Sequence, residues 1–397
     1  VTPVLVLGGA EQVAAYLAHA FTDFHSIALV SFVPGQLEVS LRARHVRFEV
    51  LAPFVKKLRG NIRRVVRRFS RGVLSRHRQS PFHGTIQLSP QCDFLAATCP
   101  GYMDRFESFL DQQRYDLVHI HSLTCGALCR IARQKGCAVV YGHHNMLSER
   151  HGSRDVEFLK RELRWVDAVI CVSQAAREDF VKTTGFPADK VSAIPNPSFL
   201  TAGRQRGLQG KLRAGTASNL EAAKGIDVLL QAWAELRRRG IRVPLSIAGG
   251  QSGLISHWRD LASSLQVGDD VVFLGNLDET EMQHFYDNIE LTVVPSLTES
   301  FSLQSIEALS RGIPVVASDI AALREVIGDS GMLFPPGEAK ALADCVERLM
   351  AQKALVKDLS DRGFARWRSL YSPESIYEKY DRLYRCCQSE EALQPQI

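Results

Sequence analysis

Two carboxylates set the chemistry to look for. In the stretch PSLTESFSLQSIEALSRGIPVVAS, residues 295–318, Glu299 and Glu307 stand with seven residues between them. Leu303, Ile306, Leu309 and Ser310 recur at helical spacing inside this stretch, and Gly312 and Pro314 end the pattern. Apolar runs flank it, LTVV at 291–294 and PVVAS at 314–318, so the local plan is strand, tight loop, helix, strand. Glu299 then falls in the loop and Glu307 about one turn into the helix. Acids beside a helix entrance suit a ligand that carries both hydroxyls and phosphates. The carboxylates accept hydroxyl hydrogens, and the backbone N–H groups of the helix start face the anion.

A second set of candidates sits at the ends of other predicted strands. Tyr115–Ser122, YDLVHIHS, reads as a buried strand whose alternation puts His119 and His121 on one side. His121 is placed at the carboxyl end of that strand, where open α/β sheets take their ligands. His119 reads as a structural imidazole. The strand Val4–Leu7 runs into Gly8-Gly9, a turn where missing Cβ atoms let a ligand approach the backbone. Leu245–Ala248 ends in the same manner at Gly249-Gly250, and Lys224-Gly225 precedes a helical pattern, IDVLLQAWAEL. The histidines at 119, 121, 143, 144 and 151 include no H-x-x-x-H or H-E-x-x-H arrangement, so no metal is expected.

The elements needed to hold these residues fill the whole chain. Further strands are expected at Ile27–Phe32, His45–Val50, Ala138–Tyr141, Ala168–Val172, Val191–Ile194 and 271–276, with helices between them. Ser173 is placed as the N-cap of the helix that follows it. A length of 397 residues, 45% of them hydrophobic and 23% charged, is that of a globular chain with two domains. Nine scattered cysteines without a C-x-x-C zinc pattern read as reduced thiols. No run reaches the length of a membrane-spanning helix, and no secretory signal is read at the start, so a cytoplasmic protein is expected. The formal net charge of +5 is mild for this length and does not argue for nucleic acid.

One segment breaks that balance. Residues 54–78 hold ten Lys or Arg and no acid, while Phe54, Leu58, Ile62, Val65, Phe69 and Val73 recur at three and four. Contact with an anionic membrane surface at the inner face of the cell membrane, recognition of an acceptor and a solvated surface helix are all open readings.

The stretch PSLTESFSLQSIEALSRGIPVVASD resembles the signature of the retaining glycosyltransferases of family 4, P-S-x-x-E-x-F-G-x-x-x-x-E-A with its E-x7-E spacing. Other segments resemble that family too: GGAE at 8–11, VHIH at 118–121, VSQAAREDF at 172–180, IPNP at 194–197, AGG at 248–250 and GMLFPPG at 331–337. The resemblance implies the α/β GT-B fold, two Rossmann-like doubly wound domains facing a central cleft. It places an acceptor-side domain at 1–200 and a nucleotide-sugar domain at 201–370, and residues 198–212, rich in Gly, Gln and basic residues without steady periodicity, read as the connection between them. A C-terminal helix at 371–390 would cross back to the first domain. It also implies transfer of a hexose-type sugar from a nucleoside-diphosphate sugar, UDP- or GDP-linked, to a hydroxyl acceptor. That acceptor is a glycan, a lipid-linked sugar or a small molecule, and no further cofactor is required.

Roles follow from the resemblance residue by residue. Glu299 would contact the transferred sugar and Glu307 the ribose. Lys224 would hold the donor diphosphate, and His121 would lie near the sugar. Gly9 and Gly249 would let the backbone approach the donor, helped by the N–H groups around Ser302 and Leu303. The chain departs from the pattern at two of these places. Asn219 stands where the family has the Arg of R-x-x-x-x-K-G, and Ser302 stands where it has Gly. These departures motivate a different class, a catalytically weak partner that binds a glycan or a membrane. A nucleotide-sugar hydrolase or epimerase is the remaining alternative.

Overall fold

The computed structural model describes residues 2–7, 25–31, 47–50, 101–112, 115–121, 123–196, 212–250 and 254–388. Gly9, the basic segment 54–78, Pro197 and most of the expected connection at 198–212 lie outside these residues. The described residues fall into two compact units. One takes the chain up to Cys171, then Asp179–Ser192 and the residues from Tyr380 onward; the other takes Val172–Glu178 and Ala193–Lys379.

The first unit is built on seven strands: β1 (Thr2–Leu7), β2 (His25–Ser31), β3 (Arg47–Val50), β4 (Leu117–His121), β5 (Ala138–His143), β6 (Ala168–Cys171) and β7 (Val191–Ala193). Their order is β3-β2-β1-β4-β5-β6-β7, and the pairs from β3 through β6 are parallel. Central parallel strands are covered on both faces, which explains why β4, β5 and β6 are buried at every position. Helices α1 (Tyr102–Gln112) and α2 (Leu128–Gln134) flank β4 along the chain. The local pattern of 123–134 predicts one helix; the structure has a short 3-10 turn at Leu123–Cys125 and then α2. Helix α3 (Ser153–Glu162) comes before β6, and α4 (Gln174–Thr184) comes after it. Ser173 caps α4 as expected, its hydroxyl accepting from the N–H of Ala176 at 3.0 Å.

The second unit repeats the plan with six strands: β8 (Ala214–Ala217), β9 (Leu245–Ala248), β10 (Val271–Gly275), β11 (Leu291–Val294), β12 (Val315–Ser318) and β13 (Met332–Phe334). The order is β10-β9-β8-β11-β12-β13, all parallel. Helices α5 (Ile226–Arg238), α6 (Ile255–Ser264), α7 (Glu279–Asp287), α8 (Leu303–Leu309) and α9 (Ala321–Ile327) are the crossovers. Right-handed crossovers place α5 and α6 on one face of this sheet and α8 and α9 on the other. After β13, α10 (Ala339–Ala351) packs on α5, and α11 (Lys353–Leu370) packs on α8. The core of the unit gathers Trp233, Leu229, Ile247, Leu291, Val293 and Val346. Helix α12 (Pro373–Gln388) ends the described chain. Among the described residues, no helix is long and apolar enough to cross a membrane.

Both sheets reverse their winding direction at one place, between β1 and β4 in the first and between β8 and β11 in the second. Loops leaving the carboxyl ends of strands there diverge and leave a crevice for a ligand.

Candidate active site

The loop after β11 begins at Pro295, and the loop after β8 runs from Ser218 to Gly225. Gly225 has φ +64°, and a Cβ on it would fall 2.0 Å from the Pro295 carbonyl oxygen, so no larger residue fits. The N–H of Leu297 donates to the Ala223 carbonyl at 2.8 Å and joins the two loops. This close packing brings Lys224 to Glu299, whose Nζ and Oε1 atoms are 2.7 Å apart. Ser296 donates to the same Oε1 at 2.9 Å. Both partners are largely covered, at 15% and 10% side-chain exposure. A half-shielded cation beside a carboxylate offers a charge for an anion and an acceptor for hydroxyls within one small volume.

Helix α8 enters behind this pair. Ser302 has φ −134°, extended backbone open to any residue, and caps α8 by accepting from the Ser305 N–H at 3.3 Å. The serine found in place of the family's glycine therefore serves the helix. Apart from Leu303, α8 is buried at every position, so it is more than the one-faced helix that spacing suggests. Gln304 reaches back to β8, its Oε1 accepting from the Ala217 N–H at 3.0 Å and from the Thr216 hydroxyl at 3.2 Å.

Glu307 is 9% exposed and accepts at 2.8 Å from the Tyr286 hydroxyl. The guanidinium of Arg311 lies over the Tyr286 ring, 5.4 Å from its centroid. Burial disfavours the charged carboxylate and outweighs the tyrosine hydrogen bond and the nearby arginine, so the Glu307 carboxyl is pushed up to about 7.

The remaining edge of this site is shaped by β8 and β9. Gly249 has φ +122°, and a Cβ there would fall 1.6 Å from the Ser218 carbonyl oxygen. Ser218 in turn donates its N–H to the Ala248 carbonyl at 3.1 Å. Asn219 has its Oδ1 buried without a hydrogen-bond partner among the described residues. Leu220, next in the chain, is fully buried with φ +58°. The Trp258 indole donates to its carbonyl at 3.0 Å.

The first unit carries the histidines. His119 and His121 share one side of β4, with ring centroids 3.9 Å apart, and neither is exposed. The Nδ1 of His119 bonds the Tyr384 hydroxyl at 2.7 Å, and the Nδ1 of His121 bonds Nε2 of His144 at 2.9 Å. Burial, followed by neighbouring imidazoles, lowers His119 to about 3 and His121 well below the usual imidazole range. His143 falls to about 3 for the same leading reason. Among the described residues, no group of three or more His, Cys, Asp or Glu side chains is placed to hold a metal ion.

Two family models match this chain in sequence. "Glycosyltransferase Family 4" covers residues 7–197, and "Glycosyl transferases group 1" covers residues 211–352. The chain belongs to the family 4 glycosyltransferases. Its similar relatives include the D-inositol 3-phosphate glycosyltransferase of Acidothermus cellulolyticus, 27% identical over 65% of this chain and 64% of that protein. The MMP alpha-(1->4)-mannosyltransferase of Mycolicibacterium hassiacum is 25% identical over 66% of this chain and 68% of its own length. The chain thus spans about two thirds of the length of these two relatives. HepE of Anabaena, solved in complex with UDP and glucose, superposes with TM-score 0.76 at 18% identity, covering 97% of this chain and 100% of HepE. Sucrose-phosphate synthase of Thermosynechococcus elongatus gives TM-score 0.74 at 20% identity, covering 97% and 99%. These likenesses show that the glycosyltransferase has the GT-B fold.

Of the residues singled out from sequence, the second unit of this glycosyltransferase gathers Asn219, Lys224, Gly249, Glu299, Ser302, Leu303 and Glu307 at the carboxyl ends of β8, β9 and β11. His121 belongs to the first unit, and Gly9 lies outside the described residues. Sequence reasoning did not find Ser296, Gln304, Tyr286 or Arg311 in the second unit, nor Tyr384, the partner of His119, in the first. Each stands at an ordinary helix or loop position, without a motif of its own. For Gln304, the stretch 295–318 already contained it, yet its amide partners on β8 are 87 residues or more away in sequence.

Proposed function

We propose that this glycosyltransferase moves a hexose-type sugar, with retention, from a nucleoside-diphosphate sugar to a hydroxyl acceptor. The observation that carries the reading is the Lys224–Glu299 pair, held at the switch point of the second sheet, with buried Glu307 on the helix that follows the same loop. Negative charge grows on the leaving diphosphate, and Lys224 meets it as a point charge. Asn219 adds hydrogen bonds without charge, and the backbone around Ser302 and Leu303 offers N–H donors. Glu299 accepts hydroxyl hydrogens of the transferred sugar, Glu307 accepts those of the ribose, and His121 contacts the sugar. Gly249 lets the β9 loop pack against the Ser218 carbonyl and so sets the backbone beside the nucleotide, and Gly9 lets the backbone approach the donor after β1. Retention rests on family membership. UDP is the favoured leaving group, because HepE was solved with UDP and with UDP-glucose.

A panel of UDP- and GDP-sugars, incubated with a native extract as acceptor source and followed by mass analysis, tests this reading. The parent protein should form a glycosylated product from one donor, and Lys224→Ala should lower turnover roughly ten- to a hundredfold, the loss of one charge-assisted contact. Equal turnover by both proteins would remove Lys224 from the phosphate site. Free sugar as the sole product would favour a hydrolase. A catalytically weak partner would show no turnover with any donor.

The ten basic residues at 54–78 favour an acceptor held at an anionic membrane surface. Each base near such a leaflet contributes about 1 kcal/mol before screening, so attachment should be reversible and weaken with salt. Sedimentation with phosphatidylserine vesicles at low salt, comparing the parent with Arg63, Arg64, Arg67 and Arg68 changed to Ser, checks it. Equal binding by both would make a soluble acceptor the better reading.

A further inference from the structure

The histidines of the first unit contain more order than a single sugar contact needs. In the parallel pairing of β4 with β5, His121 stands opposite Gly142. A Cβ on Gly142 would lie 3.0 Å from Nε2 of His119, 3.0 Å from Nδ1 of His121 and 3.3 Å from Nε2 of His144. The missing side chain opens the space in which His121 Nδ1 and His144 Nε2 approach to 2.9 Å. The two rings stack with centroids 5.2 Å apart and planes 22° from parallel. His121 Nε2 is buried and has no hydrogen-bond partner among the described residues.

A contact of 2.9 Å between two ring nitrogens holds one hydrogen, so the tautomer of one ring dictates that of the other. In one arrangement His144 donates from Nε2, and His121 keeps its own hydrogen on Nε2. In the other, His121 donates from Nδ1, and its Nε2 is a bare lone pair. One consideration favours the first. It leaves both rings in the Nε2–H form that neutral histidine intrinsically prefers, whereas the second puts both in the less stable Nδ1–H form. Burial keeps His121 neutral near pH 7, so it has a single N–H to offer.

We propose that His144 is the positioning residue for His121, donating to its Nδ1 and holding its hydrogen on Nε2. His121 is then a hydrogen-bond donor to an oxygen of the transferred sugar and does not act as a base. The donor role rests on the reading above, in which His121 contacts that sugar. The buried Nε2–H, which is costly while unpaired, gains its acceptor when the sugar binds.

Long-range proton–nitrogen correlation spectra of the full chain labelled with 15N-histidine, recorded above pH 7, decide the tautomer. Cross-peaks lost in His121→Ala identify His121. The parent should show His121 in one form, protonated at Nε2. In His144→Phe that form should give way to a tautomer mixture, and kcat should fall about tenfold with the donor KM nearly unchanged. His144→Gln, whose amide nitrogen can donate to the same Nδ1, should restore both. A parent spectrum with His121 protonated at Nδ1 overturns the proposal, as does an unchanged tautomer in folded His144→Phe. Should the phenylalanine variant fail to fold, the parent spectrum still decides. Undiminished kcat in His121→Ala would instead overturn the functional reading and with it the donor role, whereas the tautomer is decided by the spectrum alone.

Discussion

Glu307 is an acid that folding places where acids are least stable. Its carboxyl is pushed up to about 7 by burial, against the pull of the Tyr286 hydroxyl and Arg311. If ribose hydroxyls donate to this carboxylate, they favour the charged form and bring its pKa down, so nucleotide binding near pH 7 should release a proton. Roughly half a proton is expected at pH 7, where a group of this pKa is half protonated. Calorimetric titration with UDP in two buffers of different ionisation enthalpy measures it. The binding heat should depend on the buffer for the parent and lose that dependence in Glu307→Gln; an identical heat in both buffers for the parent would remove Glu307 from the nucleotide site. The E-x7-E spacing located this residue in the sequence, but its raised pKa was not legible there. Tyr286 lies 21 residues away on α7, and nothing in QHFYDN marks that tyrosine as a partner of a buried acid.

At the scale of the element, the loop from Ser218 to Gly225 shows how much local structure serves one lysine. Leu220 takes a left-handed conformation that costs a non-glycine residue roughly 1–2 kcal/mol. It is held there by burial and by the Trp258 indole on its carbonyl. Trp258→Phe removes that donor and leaves the carbonyl unpaired, so it should destabilise the protein by about 1–3 kcal/mol and raise the donor KM severalfold. Thermal unfolding and steady-state kinetics check this; an unchanged melting temperature together with an unchanged KM would show that the loop is held otherwise. Local signals mark Gly249-Gly250 as a turn at a strand end and Lys224-Gly225 as the start of a helical pattern. They do not reveal why glycine is required at 225 and 249, since the obstructing carbonyls belong to Pro295 and Ser218. The same division holds for strands and helices. LTVV at 291–294 is legible to the residue from local pattern, while the break of 123–134 into a 3-10 turn and α2 is not.

The whole molecule repeats one strand order in two units but loads their interiors with opposite titrating groups. The first unit buries His119, His121 and His143, all lowered, with His119 and His143 falling to about 3. The unfolded chain takes up those protons near the ordinary value of 6.5, so the contribution of these rings to stability is full above 6.5 and is lost as pH falls toward 3. Each ring costs up to about 1.4 kcal/mol per pH unit within that window. The second unit buries Glu307, raised from 4.5 to about 7. Its folded state holds the proton longer than the unfolded chain does, so this contribution is full below 4.5 and is lost as pH rises through 7. Lowering the pH from 7.5 to 5 should therefore weaken the first unit while slightly strengthening the second. Hydrogen exchange resolved by peptide and corrected for the pH dependence of intrinsic exchange separates the two. Peptides covering β4 and β5 should lose protection at pH 5, and peptides covering β11 and α8 should keep or gain it. Equal loss in both sets would mean that acid acts through groups shared by the whole chain, and the buried histidines would not set its acid limit.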